Sequence, residues 1–247
     1  MEKFELALES AEIAGRCAEI KERMISPLLK CVSFSSPSAF RLSGGRESRY
    51  HTLITTADPL ENDGLMKEIQ AGVESCVRQL HRGAKRKVLA VGLGNPAAVT
   101  DALGAETVRR LSAGEKGRGY LATMIPSVFG MTGLESASVV RGVCSEYRPD
   151  LILSVDTLST RRAERLCRAV QITDGGVVPG GGVGNRREPI SEEALGVPVI
   201  SVGVPLLARA DRCASLPAGL VVTPKEIDLF VPLFAAAIAA GVEKALF

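Results

Sequence analysis

Residues 87–111 have the sequence KVLAVGLGNPAAVTDALGAETVRRL, in which an apolar run leads into a glycine turn and then into a helical pattern. The run KVLAVGL is apolar at almost every position, which is typical of a strand buried on both faces. In the turn, Gly92, Gly94 and Ala97 satisfy the loose dinucleotide-binding pattern G-x-G-x-x-G/A. The next apolar run, GYLATMI, ends without the carboxylate that would bind a ribose. We therefore interpret the turn as part of a site that does not hold a pyrophosphate.

Strand-like and helical patterns alternate on both sides of this segment. The strand-like runs are YHTLITT, GYLATMI, LILSV and VPVISVGV, and helical patterns occupy residues 60–82 and begin again at residues 102 and 133. This alternation predicts an α/β fold of three layers, with a mostly parallel sheet and helices on both faces. Near the C-terminus, a helical stripe predicts a closing helix packed on the sheet, with the members Ile227, Phe230, Phe234, Ile238 and Val242.

The first part of the chain has a different character. Residues 4–24 have an amphipathic helical pattern, and the Ser/Gly-rich stretch SFSSPSAFRLSGGRES that follows is typical of a mobile connection. We therefore divide the chain into an N-terminal region, residues 1–48, with a helix and a flexible segment, and one α/β domain, residues 49–247. A chain of 247 residues with 46% hydrophobic residues is sufficient for one sizeable core.

Composition argues against several classes of function. The 30 basic and 28 acidic residues give a formal net charge of +2, so the chain has no strong overall positive potential that would favour direct nucleic-acid binding. The six cysteines lack CxxC spacing and nearby histidines, so we predict reduced thiols, no metal site and no cofactor. His51 and His81 are predicted to be structural or solvent-exposed. No stretch approaches the roughly 20 apolar residues of a membrane span, so we predict no membrane association and a cytoplasmic location.

Two aspartates are the main candidates for chemistry. Asp101 follows the glycine turn, and Asp156 follows the apolar run LILSV, so both are predicted to lie beyond carboxyl ends of parallel strands, where open α/β sheets place their sites. Two neighbouring carboxylates can divide the work of acid and base in peptide hydrolysis without a metal. The alternative, which the pattern alone favours, is that each aspartate caps a helix or turn.

A glycine-rich segment and paired arginines are weaker candidates. The segment GGVVPGGGVGNRR predicts either a phosphate cradle or a surface loop beside a peptide groove, and it lacks the Lys-Ser/Thr ending of a P-loop. Of the arginine pairs, only Arg161 and Arg162 lie close in sequence to Asp156 and are assigned to acidic substrate side chains. Substrate-binding roles are also assigned to Asn95 in the turn and to Gly182 and Asn185 in the loop.

Several segments together resemble the germination protease family of spore-forming bacteria. They are GLGNPAAVTDALG, FGMTGLESASVVRGV, RPDLILSVDTLSTRRAERL, VQITDGGVVPGGGVGNRR and EEALGVPVISVGVP, in the family's order, followed by VTPKEID. The resemblance implies an aspartic-type peptidase, unrelated to pepsin, on a fold like that of the hydrogenase-maturation proteases. It implies small acid-soluble spore proteins as substrates, in the cytoplasm of the forespore and spore core. The family's two essential aspartates fall on Asp101 and Asp156.

The resemblance also implies assembly as a homo-oligomer and synthesis as a precursor that processes itself near the N-terminus. Family members cleave beside glutamate in a Glu-aliphatic-Ala type of sequence, and Phe4-Glu5-Leu6-Ala7 is similar to such a sequence. We therefore predict that the Glu5–Leu6 bond is the self-processing bond.

The chain departs from the family in some respects. Only residues 206–221 separate the segments VGVP and VTPKEID, where the family usually carries a long insertion. Pro96 and Ala97 stand where the family has Trp-Asn, and Val178 stands where it has a histidine, so substrate contacts are expected to differ.

Two other functions remain open at this stage. VGLGNPA resembles the opening strand and turn of peptidyl-tRNA hydrolases, but no histidine follows His81 to serve as that family's catalytic residue. The second alternative is a catalytically inactive homologue that binds spore proteins.

Overall fold

The computed structural model describes residues 6–14, 20–36, 47–62, 64–81, 83, 87–117, 119–180, 187–210 and 220–247. The strands are β1 (Lys21–Met24), β2 (Leu29–Ser36), β3 (Ser48–Thr55), β4 (Lys87–Gly92), β5 (Gly114–Lys116), β6 (Gly119–Met124), β7 (Leu151–Thr160), β8 (Ala169–Thr173), β9 (Val199–Arg209) and β10 (Val221–Val222). The helices are α1 (Ala7–Ala14), α2 (Leu65–Leu80), α3 (Leu103–Arg110), α4 (Phe129–Thr132), α5 (Ser136–Tyr147), α6 (Glu192–Leu195) and α7 (Ile227–Leu246), with short 3-10 turns at Val99–Asp101 and Ala163–Arg165.

These strands form one mixed sheet in the order β1-β2-β3-β8-β9-β7-β4-β6-β5, and β10 pairs with β9. Its centre, β9-β7-β4-β6, is parallel. The flanking pairs are antiparallel, including β3 with β8, in which Tyr50 pairs with Thr173. The predicted α/β fold with helices on both faces is confirmed, and the parallel pairing predicted for most of the sheet is found at its centre. The antiparallel strands at both sides were not predicted.

Both faces of the central sheet are buried. On β4, Val88 and Ala90 pack in the core beneath α2, α3 and α7, whereas Leu89 and Val91 pack on the other face against α5. Helix α1 covers that second face farther along the sheet, over β2 and β3. Successive side chains of a strand point to opposite faces, so two apolar faces require an unbroken apolar run. This requirement explains the composition of KVLAVGL.

The closing helix α7 packs against α2 and α3. Phe234 and Ile238 are fully buried, as the predicted stripe requires, and Gly241 approaches the backbone of α2 at Gln70. The helix has 20 residues, and its most apolar 18-residue stretch has a mean hydropathy of 1.7, which by length and composition alone would suit a membrane span. The prediction that no part of the chain is as long and apolar as a membrane span is therefore wrong for residues 227–246. The apolar residues of α7 pack into the core, and 56% of this 18-residue stretch is buried.

The N-terminal region differs from its prediction. The predicted helix over residues 4–24 is wrong at its end, because Lys21–Met24 forms β1. Strand β2 occupies the start of the Ser/Gly-rich stretch and pairs with β3 along its whole length, so the sheet begins before the predicted boundary at residue 49. Leu29 and Cys31 pack toward α2, whereas Val32 and Phe34 pack toward α1. The serines between these apolar residues concealed the strand.

Helix α3 rests directly on the backbone of the sheet. Leu93 N donates a hydrogen bond of 2.8 Å to Val155 O, which joins the end of β4 to β7. A Cβ at Gly104 would collide with both of these backbone atoms, and a Cβ at Gly92 would collide with the carbonyl group of Gly104. Only residues without a side chain permit this approach. The contact therefore fixes the position of α3 and of the turn that precedes it.

We expect Gly104→Ala to lower the free energy of unfolding by about 1–3 kcal/mol or more, because backbone atoms cannot yield to the added methyl group. The control is Gly142→Ala on α5, where nothing lies within 4 Å of an added Cβ. That change should stabilise the chain by about 0.5–1 kcal/mol, because alanine is the better helix former. Urea unfolding of the two variants measures the difference. Equal effects would contradict the contact described for α3.

Candidate active site

Asp101 is held by the glycine turn that follows β4. Gly94 has φ +90, and a Cβ there would collide with the backbone and carboxylate of Asp101. Asn95 N donates a hydrogen bond of 2.7 Å to Asp101 Oδ2, and the Asn95 side chain accepts one from Ala97 N. The turn therefore folds back onto its own aspartate. Asn95 contributes its backbone to this arrangement and uses its side chain within the turn.

The capping interpretation of both aspartates is wrong. Asp101 ends a 3-10 turn, and the N-cap of α3 is Ala102, which makes no side-chain capping bond. Asp156 lies inside β7, where its Oδ1 accepts a hydrogen bond of 2.9 Å from Thr157 N. Neither carboxylate is used to begin a helix.

The location of Asp156 also corrects the prediction that it lies beyond the end of its own strand. Strand β7 continues to Thr160 because it remains paired with β9. Strand β4, however, ends at Gly92 opposite Val155. Asp156 is therefore the first residue of β7 that extends past β4. It is 4% exposed.

The end of β4 brings the two aspartates to the same region. The 3-10 turn that contains Asp101 lies against β7, next to the bond between Leu93 and Val155. On the face of β7 that carries Asp156, the preceding residue is Ser154, which hydrogen bonds to Ser201 at 2.7 Å. This pair is buried and forms a polar floor at the site. Two carboxylates, a backbone donor and buried hydroxyls thus lie in the region where β4 ends.

Burial raises the pKa of Asp101 above its ordinary value of 3.8, and the Asn95 N–H and the positive charge of Arg187 oppose this increase. Arg187 lies 4.0 Å from Glu135 and has 19% of its side chain exposed. The sequence analysis assigned no role to Arg187. Its position after the glycine-rich loop was the available signal, but its electrostatic effect on Asp101 acts across the fold.

Arg161 and Arg162 lie at the far end of β7 and contact the N-terminal helix. Arg161 N donates to Glu9 Oε2 at 2.8 Å, and Arg162 Nη2 lies 2.9 Å from Glu12. Arg165, which is almost fully buried, pairs with both glutamates. An extended strand rises about 3.3 Å per residue, so these contacts, which begin five residues after Asp156, lie about 16 Å beyond it. The structure therefore places the two predicted arginines at α1, whereas the arginine whose charge acts on Asp101 is Arg187.

Of the remaining predicted site residues, the structure describes only Leu6. Gly182, Asn185 and Glu5 lie outside the described residues. Leu6 is fully buried, and the next residue, Ala7, donates its N–H to Gln171 Oε1 at 2.7 Å. The predicted processing bond thus adjoins a residue that is packed in the core.

A family model of the germination protease matches residues 29–215. The chain belongs to the germination protease family. Relatives called germination protease include that of Bacillus subtilis, 35% identical over 70% of this chain and 51% of the relative. Those of Oceanobacillus iheyensis and Caldanaerobacter subterraneus are each 32% identical, over 81% and 76% of this chain and 58% and 74% of the relatives. The chain thus spans about half the length of several of these proteins.

The solved structures include a similar chain, the [NiFe] hydrogenase maturation protease HycI of Thermococcus kodakarensis. It is 19% identical with a TM-score of 0.41, over 67% of this chain and 97% of that one. The germination protease match extends far beyond the glycine turn, whereas the likeness to peptidyl-tRNA hydrolases was limited to that turn. The family assignment therefore replaces that alternative.

The raised pKa of Asp101 predicts a pH dependence of stability. An acid whose pKa is higher in the folded chain stabilises the fold at low pH, and that contribution is lost as the pH rises through the raised pKa. Relative to Asp101→Asn, we expect the wild type to lose free energy of unfolding as the pH rises from below 3.8. Urea unfolding at a series of pH values measures this difference.

Glu106→Gln is the control with the opposite sign. Hydrogen bonds from Arg110 and Arg109 lower the pKa of Glu106, so its contribution to stability is lost as the pH falls. A pH-independent difference between the wild type and Asp101→Asn would show that burial does not perturb the Asp101 carboxyl group.

Proposed function

We propose that this member of the germination protease family is an endopeptidase that degrades small acid-soluble spore proteins during germination, in the cytoplasm of the forespore and spore core. The observation that carries the proposal is the pair Asp101 and Asp156, two carboxylates at the end of β4 that cap no helix. Peptide hydrolysis needs a base for the attacking water and an acid for the leaving amine. Two carboxylates in different environments can supply both groups.

The surroundings of the two carboxylates suggest a division of roles. The raised pKa of Asp101 favours its protonated form, so Asp101 is the general acid. Asp156, oriented by Thr157 N, is the general base. Asp156 takes a proton from water as the oxygen attacks the scissile carbonyl carbon, and Asp101 gives its proton to the leaving nitrogen as the C–N bond breaks. The positive charge of Arg187 stabilises the oxyanion formed between these steps.

The N-terminal helix relates this site to self-processing at Glu5–Leu6. Asp156 pairs with Gly203 across the sheet, Gly203 pairs with Gln171, and Gln171 holds the N–H of Ala7. The Cα atoms of Asp156 and Gln171 are thus two strand spacings apart, or about 10 Å. We propose that α1 must loosen before the processing bond reaches the aspartates, because Leu6 is fully buried. The arginines that we assign to a substrate glutamate already contact Glu9 and Glu12 of α1. A substrate must therefore displace these two glutamates.

The first test is cleavage of a purified small acid-soluble spore protein, followed by intact mass spectrometry. We expect wild type to release fragments that end at glutamate, and Asp101→Asn and Asp156→Asn each to slow cleavage by about 10²–10⁴-fold. A matched control is Asp228→Asn, which makes the same change at the start of α7. A chelator should leave the initial rate unchanged. Intact substrate bound to folded wild type would support the inactive binding homologue instead.

The second test concerns self-processing. We expect Glu9→Gln to accelerate cleavage at Glu5–Leu6 several-fold, because it weakens the buried ion pair with Arg165 that docks α1. The exposed change Glu22→Gln should have no effect, and adding Asp156→Asn to Glu9→Gln should abolish processing. Intact mass against time gives the rate. A rate that is unchanged in Glu9→Gln would contradict the proposed role of α1, and a rate that grows with protein concentration would indicate cleavage between chains.

The proposal includes assembly into a homo-oligomer, as the family resemblance implies. Light scattering of the purified chain gives its mass in solution, and a monomer at all concentrations would oppose this part of the proposal.

A further inference from the structure

Two cysteines and a histidine that are distant in the sequence meet beneath α2. The sulphur atoms of Cys31 and Cys76 and a ring nitrogen of His51 all lie within 4.8 Å of one another. Cys31 is 4% exposed and Cys76 is 1% exposed. The expectation that the cysteines have no histidine near them is therefore wrong for this pair. The sequence interpretation considered only neighbours along the chain, whereas these residues come from β2, β3 and α2.

The packing of α2 on the sheet creates this cluster. Cys31 pairs with Leu53 across the β2–β3 ladder, and His51 lies two residues before Leu53, on the same face of β3. Gly72 of α2 sits over Leu53, where an added Cβ would lie 2.8 Å from a Leu53 methyl group. Cys76 follows one turn later on the same side of the helix. The absence of a side chain at Gly72 thus lets α2 pack close to the sheet, so that Cys76 reaches Cys31 and His51.

The two ring nitrogens of His51 differ in their hydrogen bonding. Its Nδ1 hydrogen bonds to Ser33 Oγ at 2.8 Å. Its Nε2 is inaccessible to solvent and has no hydrogen-bond partner among the described residues. Metal-binding histidines usually have their other nitrogen fixed by a hydrogen bond of this kind, which sets the tautomer and the ring orientation. A cation at Nε2 would also satisfy a buried polar atom.

The two sulphur atoms of the cluster are suitable ligands for a soft or borderline cation. Cysteine binds a metal ion as the thiolate, so binding at this cluster would release the thiol protons. Two sulphurs and one imidazole nitrogen are suitable ligands for Zn²⁺. They do not suit Mg²⁺ or Ca²⁺, which prefer oxygen ligands.

We propose that Cys31, His51 and Cys76 form a buried Zn²⁺ site with three protein ligands, and that Ser33 orients the histidine. The site ties β2 and β3 to α2. It lies on the face opposite Asp156 and three strands away, so its role is structural and does not depend on the proposed peptidase activity. A chelator is therefore expected to lower the thermal stability of the chain without changing the initial rate of peptide cleavage.

The test uses the reduced, full-length chain and Co²⁺ as a spectroscopic probe. We expect thiolate-to-cobalt charge-transfer absorption and the intense visible bands of a four-coordinate ion, both saturating at a single Co²⁺ per chain, and displacement by Zn²⁺. Each of Cys31→Ser, Cys76→Ser and His51→Gln should weaken binding by at least about tenfold. The matched control is Cys144→Ser, which changes a buried thiol on α5 and should leave the spectrum unchanged.

The wild-type titration decides the proposal even if a variant fails to fold. Absence of charge-transfer absorption in folded, fully reduced wild type would overturn it. So would a spectrum that persists in a folded Cys31→Ser, Cys76→Ser double variant. Circular dichroism confirms the folded state in each case. None of these results depends on cleavage of a substrate, so failure of the metal site and failure of the peptidase proposal are distinguishable.

Discussion

The contact of α3 with the hydrogen bond between Leu93 and Val155 determines the geometry of the candidate active site. A helix normally stays away from a sheet by the length of its side chains, whereas here Gly92 and Gly104 allow backbone to touch backbone. The turn between β4 and α3 is consequently folded back tightly on itself, and Asp101 lies within it against β7. The position of Asp156 follows from the same contact, because the strand β4 ends where the helix backbone approaches. The arrangement of the two carboxylates thus depends on the absence of a side chain at Gly92 and at Gly104.

Much of the central fold could be predicted from the sequence because its signals are local. The runs KVLAVGL and GYLATMI, the helical stripe of α7 and the turn before Asp101 each have a pattern within one element. The continuation of β7 through Asp156 could not be predicted, because it depends on β9 remaining beside β7 after β4 has ended. Strand β2 was missed because serines interrupt its apolar residues. The effect of the Arg187 charge on Asp101, and the proximity of His51 to Cys31 and Cys76, arise across the fold, so no spacing rule predicts them.

The two faces of the sheet carry different chemistry. On one face, the buried cluster of Cys31, His51 and Cys76 lies in an apolar layer beneath α2. On the other, carboxylates, arginines and hydroxyls run along β7 from Ser154 to the ion pairs of α1. These charged groups thus lie on the face where hydrolysis is proposed. Because α1 packs on that face, the N-terminal helix and Asp156 lie on the same side of the sheet, and a change in one is expected to affect the other.

The antiparallel pairing of β3 with β8 has a consequence for the order of folding. It joins residues 50–54 to residues 169–173, so it can form only after a very long loop has closed. The parallel centre, by contrast, assembles from successive strand–helix units. We therefore expect the central strands to form first and the segment from α1 to β3 to dock last. Segments that dock last tend to open at the lowest free energy. The N-terminal part of the chain can then detach and return while the core that holds both aspartates stays folded.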